Sequence, residues 1–414
     1  MTDNTLDSTR KYIDGPVNVA RLEGKIDGIK KVIYLFMDYH LNLGTEQRQC
    51  SNIFSTNIRK YFVDSFSETS KGDIVIDFFM EFNKDNLIKN KYKGIQQERS
   101  MKYIWDISHM LSKISDYDLS KNKIISSNIF KKLRIHYMDI RDNRVYNTEY
   151  YTKYQHKYDI LVNNLMQTGV VRYYNYEDFN NLTNDYIDTL NMIYDIIKND
   201  TKPKNDLLHE LYNTIKKIRE KYNDNNIKKK INKYLGKILL FINKIKSQLS
   251  ELMKKIESNI ISEEDISGRK FDATGNRYTM SHNKYDITSI INEITKLLRV
   301  VDNFDMLIYV LLTDLFMLRR FLDKKYITNG IAYTGMGHSE NYMYILLKEF
   351  DFKITHISYS GISLNELNKK IKSESNYYEN ITNNELYLKN YNQYIVPDNM
   401  SQCSDLTDFP KNFT

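Results

Sequence analysis

The sequence is poor in the residues that mark several common classes of protein. It has one Trp, four Pro, 14 Gly and two Cys among 414 residues. So few glycines and prolines argue against collagen-like and low-complexity chains, and two cysteines cannot build a disulfide framework. Because Cys50 and Cys403 lie far apart in the sequence, we expect free thiols in a reducing compartment.

Long apolar runs and a strong charge of one sign are also missing. The most apolar stretch, residues 306–318, is interrupted by Asp314 and bounded by Asp305 and Arg319, so it is shorter than the ~20 residues of a membrane span. It is predicted to be a buried helix. The first residues are polar and partly acidic, unlike a secretory signal peptide. A net charge of +7 is too small to indicate nucleic-acid binding. We therefore expect no membrane span and no nucleic-acid partner.

What the chain does contain is typical of a folded globular protein, with 41% hydrophobic and 27% charged residues. Three short apolar runs, at 31–37, 73–80 and 132–138, have the composition of buried strands. The segments between them, 47–66 and 98–115, are long enough for crossover helices. This β-α-β-α-β order predicts a parallel sheet.

The alternation stops near residue 145 and resumes with a strand at 330–334, a helix at 339–349 and a strand at 352–358. The predicted fold class is therefore α/β, a mostly parallel sheet with flanking helices, interrupted by a large all-helical insertion. The predicted boundaries are a polar N-terminal segment (1–27), the first part of the α/β domain (28–145), the insertion (146–329), the second part (330–380) and a polar tail (381–414).

The insertion contains a long predicted helix at about 225–259. Its apolar residues alternate four and three apart, the rhythm of a coiled-coil seam: Ile231, Leu235, Ile238, Ile242, Ile245, Leu249, Leu252 and Ile256. Two interpretations stay open. The seam packs on another helix of the same chain, such as 206–222, or it mediates self-association between chains.

Polar residues follow the predicted strands, where functional groups gather in parallel sheets. The candidate catalytic residues at these strand ends are Asp38, His40, Glu81 and His338. The candidate substrate-binding residues are His136, Asp139, Arg141 and Asn341.

The chemistry of these residue types suits proton transfer and anion binding. Imidazole titrates near neutrality and removes a proton from water when a carboxylate orients its other nitrogen, so His40 with Asp38 or Glu81 is predicted as a base. Arg141 suits a charge-assisted clamp. His40, Glu81 and His338 also form a candidate site for a divalent transition metal, although they are scattered rather than arranged as HExxH.

Three elements together resemble a known superfamily. They are an acid-x-His element (Asp38-Tyr39-His40), a strand-end Glu81, and Gly-x-Gly-His (Gly335 to His338) at the start of a helix. In this order they are similar to the superfamily that joins TIKI/TraB, ChaN-like and erythromycin-esterase-like proteins. The chain departs from the family pattern at Met37, where the superfamily usually has glycine.

The resemblance is closer to uncharacterised proteins of nucleocytoplasmic large DNA viruses. Their Arg-x-His-x-x-Asp-x-Arg element is matched by Arg134, His136, Asp139 and Arg141, and their Tyr-x-Gly-x-x-His-x-x-Asn element by Tyr333, Gly335, His338 and Asn341. The Lys-, Asn-, Ile- and Tyr-rich composition is similar to that of AT-rich giant viruses.

The resemblance implies a hydrolase-like viral protein, esterase-like or metallopeptidase-like, in the host cytoplasm or the virion. By position, His40 is implied as the base, Glu81 as its support and His338 as the second histidine of the site. The alternative is an inactive structural or interaction protein that uses the helical insertion.

Overall fold

A computed structural model describes residues 8–39, 49–81, 102–114, 116–118, 123–125, 129–140, 156–157, 159–160, 162–163, 171–204, 208–258, 260–261, 284–375, 377–378 and 391–414.

The chain alternates short strands with helices of very different length. The strands are Tyr12–Asp14 (β1), Asn18–Ile26 (β2), Ile29–Asp38 (β3), Thr56–Asn57 (β4), Ile76–Met80 (β5), Asp116–Asp118 (β6), Lys123–Ile125 (β7), Leu133–Tyr137 (β8), Val171–Arg172 (β9), Ile260–Ile261 (β10), Asn329–Gly335 (β11), Lys353–Ile357 (β12) and Cys403–Asp405 (β13). The α-helices are Ile58–Thr69 (α1), Lys102–Ile114 (α2), Tyr173–Asn199 (α3), His209–Glu220 (α4), Asn225–Glu257 (α5), Lys284–Asp323 (α6), Met336–Phe350 (α7) and Leu364–Ser373 (α8).

The central sheet has six strands in the order β12-β2-β3-β11-β5-β8. The pairs β3–β11, β11–β5 and β5–β8 are parallel, whereas β12–β2 and β2–β3 are antiparallel. The expectation of a mostly parallel sheet therefore has to be corrected to a mixed sheet. The five strands that the sequence predicts do run in one direction. The sheet is mixed because an unpredicted strand, β2, lies antiparallel between β12 and β3.

Strand β2 lies within the N-terminal segment that was predicted to be polar, and it forms a hairpin with β3. Ile26 pairs with Ile29, so the turn consists of Asp27 and Gly28 alone. Both have positive φ, 49° and 78°, which is the backbone of a two-residue type I′ turn, and Asp-Gly is a preferred sequence there. The Asp-Gly pair thus explains why β2 folds back onto β3.

One face of the sheet carries an aromatic core. Phe36 of β3 and Phe62 of α1 are fully buried and their ring centroids lie 5.0 Å apart. Phe62 also contacts Phe78 of β5 edge-to-face at 5.2 Å. Aromatic pairs in this geometry are favourable beyond the area that they bury. This core holds α1 and α2 against the sheet.

The end of α6 is fixed to the sheet by a buried lysine. The Lys31 ammonium on β3 donates to the carbonyl oxygens of Phe321, Lys324 and Ile327 at 2.9, 2.9 and 2.6 Å. Burial lowers the pKa of Lys31 to about 8, and the three carbonyls stabilise the cation at the helix C-terminus. This contact positions the last turns of α6, which carry Asp314.

The chain divides into two compact units. Unit 1 comprises Met1–Ile140, Glu220–Ile231 and Leu311–Thr414, and unit 2 comprises Arg141–Arg219 and Asn232–Val310. Glu220–Ile231 belongs to unit 1 although it lies inside the predicted insertion. The predicted domain boundaries at 145 and 329 stay a prediction.

The described part of unit 2 is mostly helical, with one parallel pair of two-residue strands, β9 and β10. Arg219 of α4 donates to the carbonyl oxygen of Ile197 at the end of α3 at 2.7 Å, and Lys246 of α5 donates to Asn191 of α3 at 2.6 Å. All eight seam residues of α5 are at most 4% exposed within the single chain. This burial favours packing within the chain over self-association, although a coiled coil is not established.

The two cysteines do not stay free. Cys50 and Cys403 form a disulfide with their Cα atoms 5.0 Å apart, so the expectation of free thiols is wrong. Cys403 begins β13, which pairs antiparallel with β1 and brings the two cysteines together. Separation in sequence therefore says nothing about separation in the fold.

No helix within the described residues is both long and apolar enough to cross a bilayer.

Replacing Cys403 by Ser is expected to lower the free energy of unfolding by about 2–5 kcal/mol, because a disulfide restricts the unfolded chain. Denaturant unfolding with and without dithiothreitol measures this change. The reductant should destabilise the wild type and leave Cys403→Ser unchanged. Equal sensitivity of both proteins to the reductant would contradict the assignment of the disulfide.

Candidate functional site

The carboxyl ends of three neighbouring parallel strands meet at one edge of the sheet. Gly335 at the end of β11 pairs with Asp38 at the end of β3. On the other side of β11, Tyr333 pairs with Met80 of β5, and Glu81 follows directly. Helix α7 begins at Met336 without an intervening loop, which places His338 in its first turn. The topology thus brings Asp38, Glu81 and His338 to the same edge.

At this edge a histidine is held between two carboxylates. His338 Nδ1 lies 2.6 Å from Asp314 Oδ1, and His338 Nε2 lies 3.1 Å from Glu81 Oε1. The other oxygen of Glu81 accepts the backbone N–H of Gly335 at 2.6 Å. Asp314, Glu81 and His338 are 0, 6 and 4% exposed. We call these three residues the Glu81–His338–Asp314 triad.

Two further hydrogen bonds hold Asp314 of the triad in position. Asn341 Nδ2 donates to Asp314 Oδ2 at 2.5 Å, and Asn341 Oδ1 accepts from the Tyr378 hydroxyl. Asn341 lies one helical turn beyond His338 on α7, so both side chains reach Asp314 from the same face of the helix. Asp314 has a partner on each oxygen, which fixes its carboxylate and, through it, the imidazole ring.

The two carboxylates keep His338 positively charged. Burial by itself lowers the pKa of His338, but the charges and hydrogen bonds of Glu81 and Asp314 outweigh it and raise this pKa to about 10. Burial raises the pKa of Asp314, and the adjacent His338 opposes that rise. At neutral pH both ring nitrogens of His338 therefore donate a proton, one to each carboxylate.

This arrangement does not fit a metal ligand. A metal-binding histidine is a neutral imidazole with a free nitrogen lone pair, whereas both nitrogens of His338 are bonded to carboxylates. The described residues also contain no group of three or more His, Cys, Asp or Glu placed to hold a metal ion. His40 lies outside the described residues, so the predicted metal set of His40, Glu81 and His338 stays a prediction.

His136 belongs to a different network. Its Nε2 lies 2.7 Å from Asp77 Oδ1, and Arg320 Nε donates to its Nδ1 at 3.0 Å. Asp77 is fully buried. Its carboxylate also accepts hydrogen bonds from Arg134 Nε at 2.7 Å and from Arg134 Nη2 at 2.5 Å. Since Nδ1 accepts a hydrogen bond from the Arg320 N–H, Nε2 carries the ring proton and His136 is neutral. Burial lowers the pKa of His136. The substrate-binding role of His136 stays a prediction.

Of the remaining predicted site residues, the structure describes Asp38, Asp139 and Asn341. Asp38 ends β3 and is buried; with the amide of Gln402 oriented to satisfy its neighbours, Gln402 donates to Asp38 Oδ1 at 2.5 Å. Asp139 follows β8 and is half-buried. Asn341 lies beside the triad rather than in a separate binding position. His40 and Arg141 lie outside the described residues, so their predicted roles stay predictions.

The sequence-based interpretation missed Asp314 and Tyr378. Asp314 was noted only as an interruption of the apolar run 306–318. An acid inside an otherwise apolar helix is costly to bury unless it is paired, and this signal could have identified it. Tyr378 carries no such signal because tyrosine is spread over the whole chain.

The fold and the site define an α/β protein with a buried carboxylate–imidazole–carboxylate triad at the carboxyl ends of parallel strands. The chain belongs to the family described as "Family of unknown function (DUF5847)", whose model matches residues 11–414.

Its relatives are proteins of a giant virus. "Uncharacterized protein R161" of Acanthamoeba polyphaga mimivirus is 33% identical over 99% of both chains. "Uncharacterized protein R706" of the same virus is 33% identical over 99% of this chain and 98% of the relative. No solved structure matches significantly. The giant-virus part of the resemblance is thus confirmed, while similarity to TIKI/TraB, ChaN-like or erythromycin-esterase-like proteins is not shown.

The raised pKa of His338 predicts a specific pH dependence of stability. An unfolded histidine titrates near pH 6.5, and His338 in the folded chain at about 10. The stabilising proton is therefore fully present below about pH 6.5, and its contribution declines as pH rises and is lost above about 10. Unfolding free energies of wild type and His338→Gln, measured between pH 6 and 10, should converge as pH rises. A constant difference would contradict the assignment.

Proposed function

We propose that this protein is a hydrolase whose chemistry is carried by the Glu81–His338–Asp314 triad. The observation behind this proposal is an imidazole fixed by a fully buried carboxylate on Nδ1 and facing a second carboxylate with Nε2. An acid that orients a histidine through Nδ1 is the arrangement by which many hydrolases prepare a proton-transfer group.

Each residue has a distinct role in this proposal. Asp314 orients the ring and stabilises its positive charge, with Asn341 positioning Asp314. Glu81 accepts the proton of a water molecule that attacks a carbonyl carbon of the substrate. As the bond to the leaving group breaks, the His338 imidazolium gives its Nε2 proton to the leaving group. Glu81 then returns a proton to Nε2, which restores the starting state.

The placement of the triad supports this role. In parallel sheets, binding and catalytic groups lie beyond the carboxyl ends of the strands, and Glu81 follows β5 directly. The resemblance to erythromycin-esterase-like proteins, in which a histidine and a glutamate act on water, is in accord with it. A mimivirus-like origin favours the host cytoplasm or the virion as the place of action.

A second candidate is a structural or interaction protein that has no catalysis. It is favoured by the burial of all three triad residues and by the occupation of both His338 nitrogens, since satisfied buried networks also serve to specify a fold. In that case the triad ties α6 and α7 to the end of β5. The two candidates predict different effects of isosteric substitutions in the triad. In a hydrolase these substitutions lower turnover, whereas in a structural protein they change stability alone.

The test compares wild type with Glu81→Gln, His338→Gln and Asp314→Asn on a panel of p-nitrophenyl esters and fluorogenic peptides. Loss of a positioned acid–base group typically costs 10²–10⁴-fold in rate, so we expect each variant to lose at least about 10²-fold in kcat/KM. Circular dichroism and thermal melting show which variants are folded.

Asp323→Asn is the matched control. Asp323 is also buried, and its carboxylate accepts the backbone N–H groups of Asn223 and Asp224 at 2.6 and 3.1 Å, away from the triad. The control should lose stability and keep its turnover. Equal turnover in the wild type and all three folded triad variants would exclude the hydrolase and leave the structural candidate.

A further inference from the structure

We propose that Arg320 on α6 is the centre of a binding site for a carboxylate group. We call Asp77, Arg134, His136 and Arg320 the arginine–histidine network. It contains Arg134 and His136 of the Arg-x-His-x-x-Asp-x-Arg element, which the triad does not use. The inference goes beyond the proposed function, because none of the four residues belongs to the triad and binding is measurable without turnover.

The network is one contiguous group on a single face of the sheet. Asp77 of β5 pairs with Arg134 of β8, and His136 lies two residues further along β8, so these three side chains point to the same side. Arg320 of α6 reaches the group on that side, with its Nε 3.0 Å from His136 Nδ1. The network therefore lies at the end of the sheet that β5 and β8 form.

A buried acid orients the Arg320 guanidinium through the imidazole of His136. Asp77 is fully buried, and its Oδ1 accepts a hydrogen bond from His136 Nε2 at 2.7 Å. The ring also stacks on Phe79, with the centroids 4.8 Å apart. These contacts fix the Nδ1 lone pair as an acceptor for the Arg320 N–H. Supporting contacts of this kind hold functional groups in a defined position.

The remainder of the Arg320 guanidinium has no protein partner in the described part of the chain. Its one hydrogen bond there goes from Nε to a neutral histidine, and no described carboxylate forms an ion pair with it. Arg320 is half-buried and its two terminal nitrogens are reachable from solvent. These two nitrogens form the planar edge that matches the two oxygens of a carboxylate.

The neighbouring arginine shows how a guanidinium is satisfied within the fold. Arg134 donates Nε and Nη2 to the Asp77 carboxylate, and Nη2 also donates to the carbonyl oxygen of Tyr326 at 2.9 Å. Its guanidinium lies over the Tyr326 ring, 4.7 Å from the centroid. Arg320 is held in place as well but lacks such a carboxylate. This difference points to a ligand as its partner.

The charge of the network favours a ligand with one negative charge. Arg134 and Arg320 are cations, Asp77 is an anion, and His136 is neutral because its Nδ1 accepts a hydrogen bond. One positive charge is therefore left over in a half-buried setting, where water screens it less than at an open surface. A carboxylate balances this charge, whereas a phosphate group adds nearly two negative charges at neutral pH. We therefore commit to a carboxylate.

The experiment measures binding of carboxylates to the full chain by calorimetry and by ¹⁵N NMR of the His136 ring, at constant ionic strength. The probes are acetate, N-acetyl-diglycine and N-acetyl-glutamate amide. N-acetyl-glutamine amide is the neutral control, and inorganic phosphate is the competing oxyanion. We expect saturable binding of at least one carboxylate and a shift of the His136 resonances, because the ring shares a hydrogen bond with the guanidinium. The order of affinities distinguishes a free small acid from a peptide C-terminus and an acidic side chain.

Two variants test the role of Arg320. Arg320→Lys keeps the charge and removes the planar edge, and Arg320→Gln removes both. Because Arg320 has no described carboxylate partner, we expect both variants to fold with a Tm close to that of the wild type. Affinity should fall about tenfold or more in Arg320→Lys and further in Arg320→Gln, since hydrogen bonds between charged groups are lost. Arg10→Lys, which changes an exposed guanidinium paired with Asp405, is the matched control and should bind like the wild type.

Three results would overturn the site: no saturable binding of any carboxylate, equal affinity in the wild type and both Arg320 variants, or tighter binding of phosphate than of every carboxylate. If neither variant folds, the wild type still decides, because a carboxylate that binds without shifting the His136 resonances binds elsewhere. A chain that binds carboxylates and hydrolyses none of the esters or peptides would keep this site and contradict the hydrolase. Hydrolysis without carboxylate binding would do the reverse.

Discussion

The structure of unit 1 depends on a buried imidazole held between two carboxylates. Glu81 follows β5, Asp314 lies on α6 and His338 lies in the first turn of α7, so one ring joins three elements. A buried charge is tolerated only when it is paired and hydrogen-bonded. Removing any one of the three therefore leaves the others uncompensated, and breaking a buried ion pair of this kind typically costs about 3–5 kcal/mol.

The residues that bury and pair the His338 imidazole also fix the position of its ring. The ring is fixed by Asp314, which is in turn fixed by Asn341 and Tyr378, and such supporting shells hold reactive groups in position. The Gly335 N–H donates to Glu81 and holds this carboxylate at the sheet edge.

The sequence predicted the elements better than their arrangement. Strands β3, β5, β8, β11 and β12 and their helices follow from apolar runs of strand or helix length. Strand β2 was missed because its residues look polar at the ends, although Asp27-Gly28 is a strong hairpin signal. The disulfide was missed because pairing of Cys50 with Cys403 depends on the β1–β13 contact, which no local pattern encodes.

For the site, strand-end position singled out Glu81 and His338, and the resemblance to viral proteins added Asn341; their predicted roles stay predictions. It did not identify Asp314, which comes from a helix far from any strand end, and it grouped His136 with residues whose partners are different. Local patterns locate a side chain along its own element, whereas the partner of that side chain is set by tertiary packing.

The central claim is that His338 is an imidazolium at neutral pH, bonded through both nitrogens. The most direct measurement is a ¹⁵N NMR titration of the histidine side chains, with His338→Gln used to assign the resonance. The account predicts that both His338 nitrogens carry protons from pH 6 to at least 8, with titration near 10. A neutral His338 at pH 8, titrating near the usual 6.5, would contradict it.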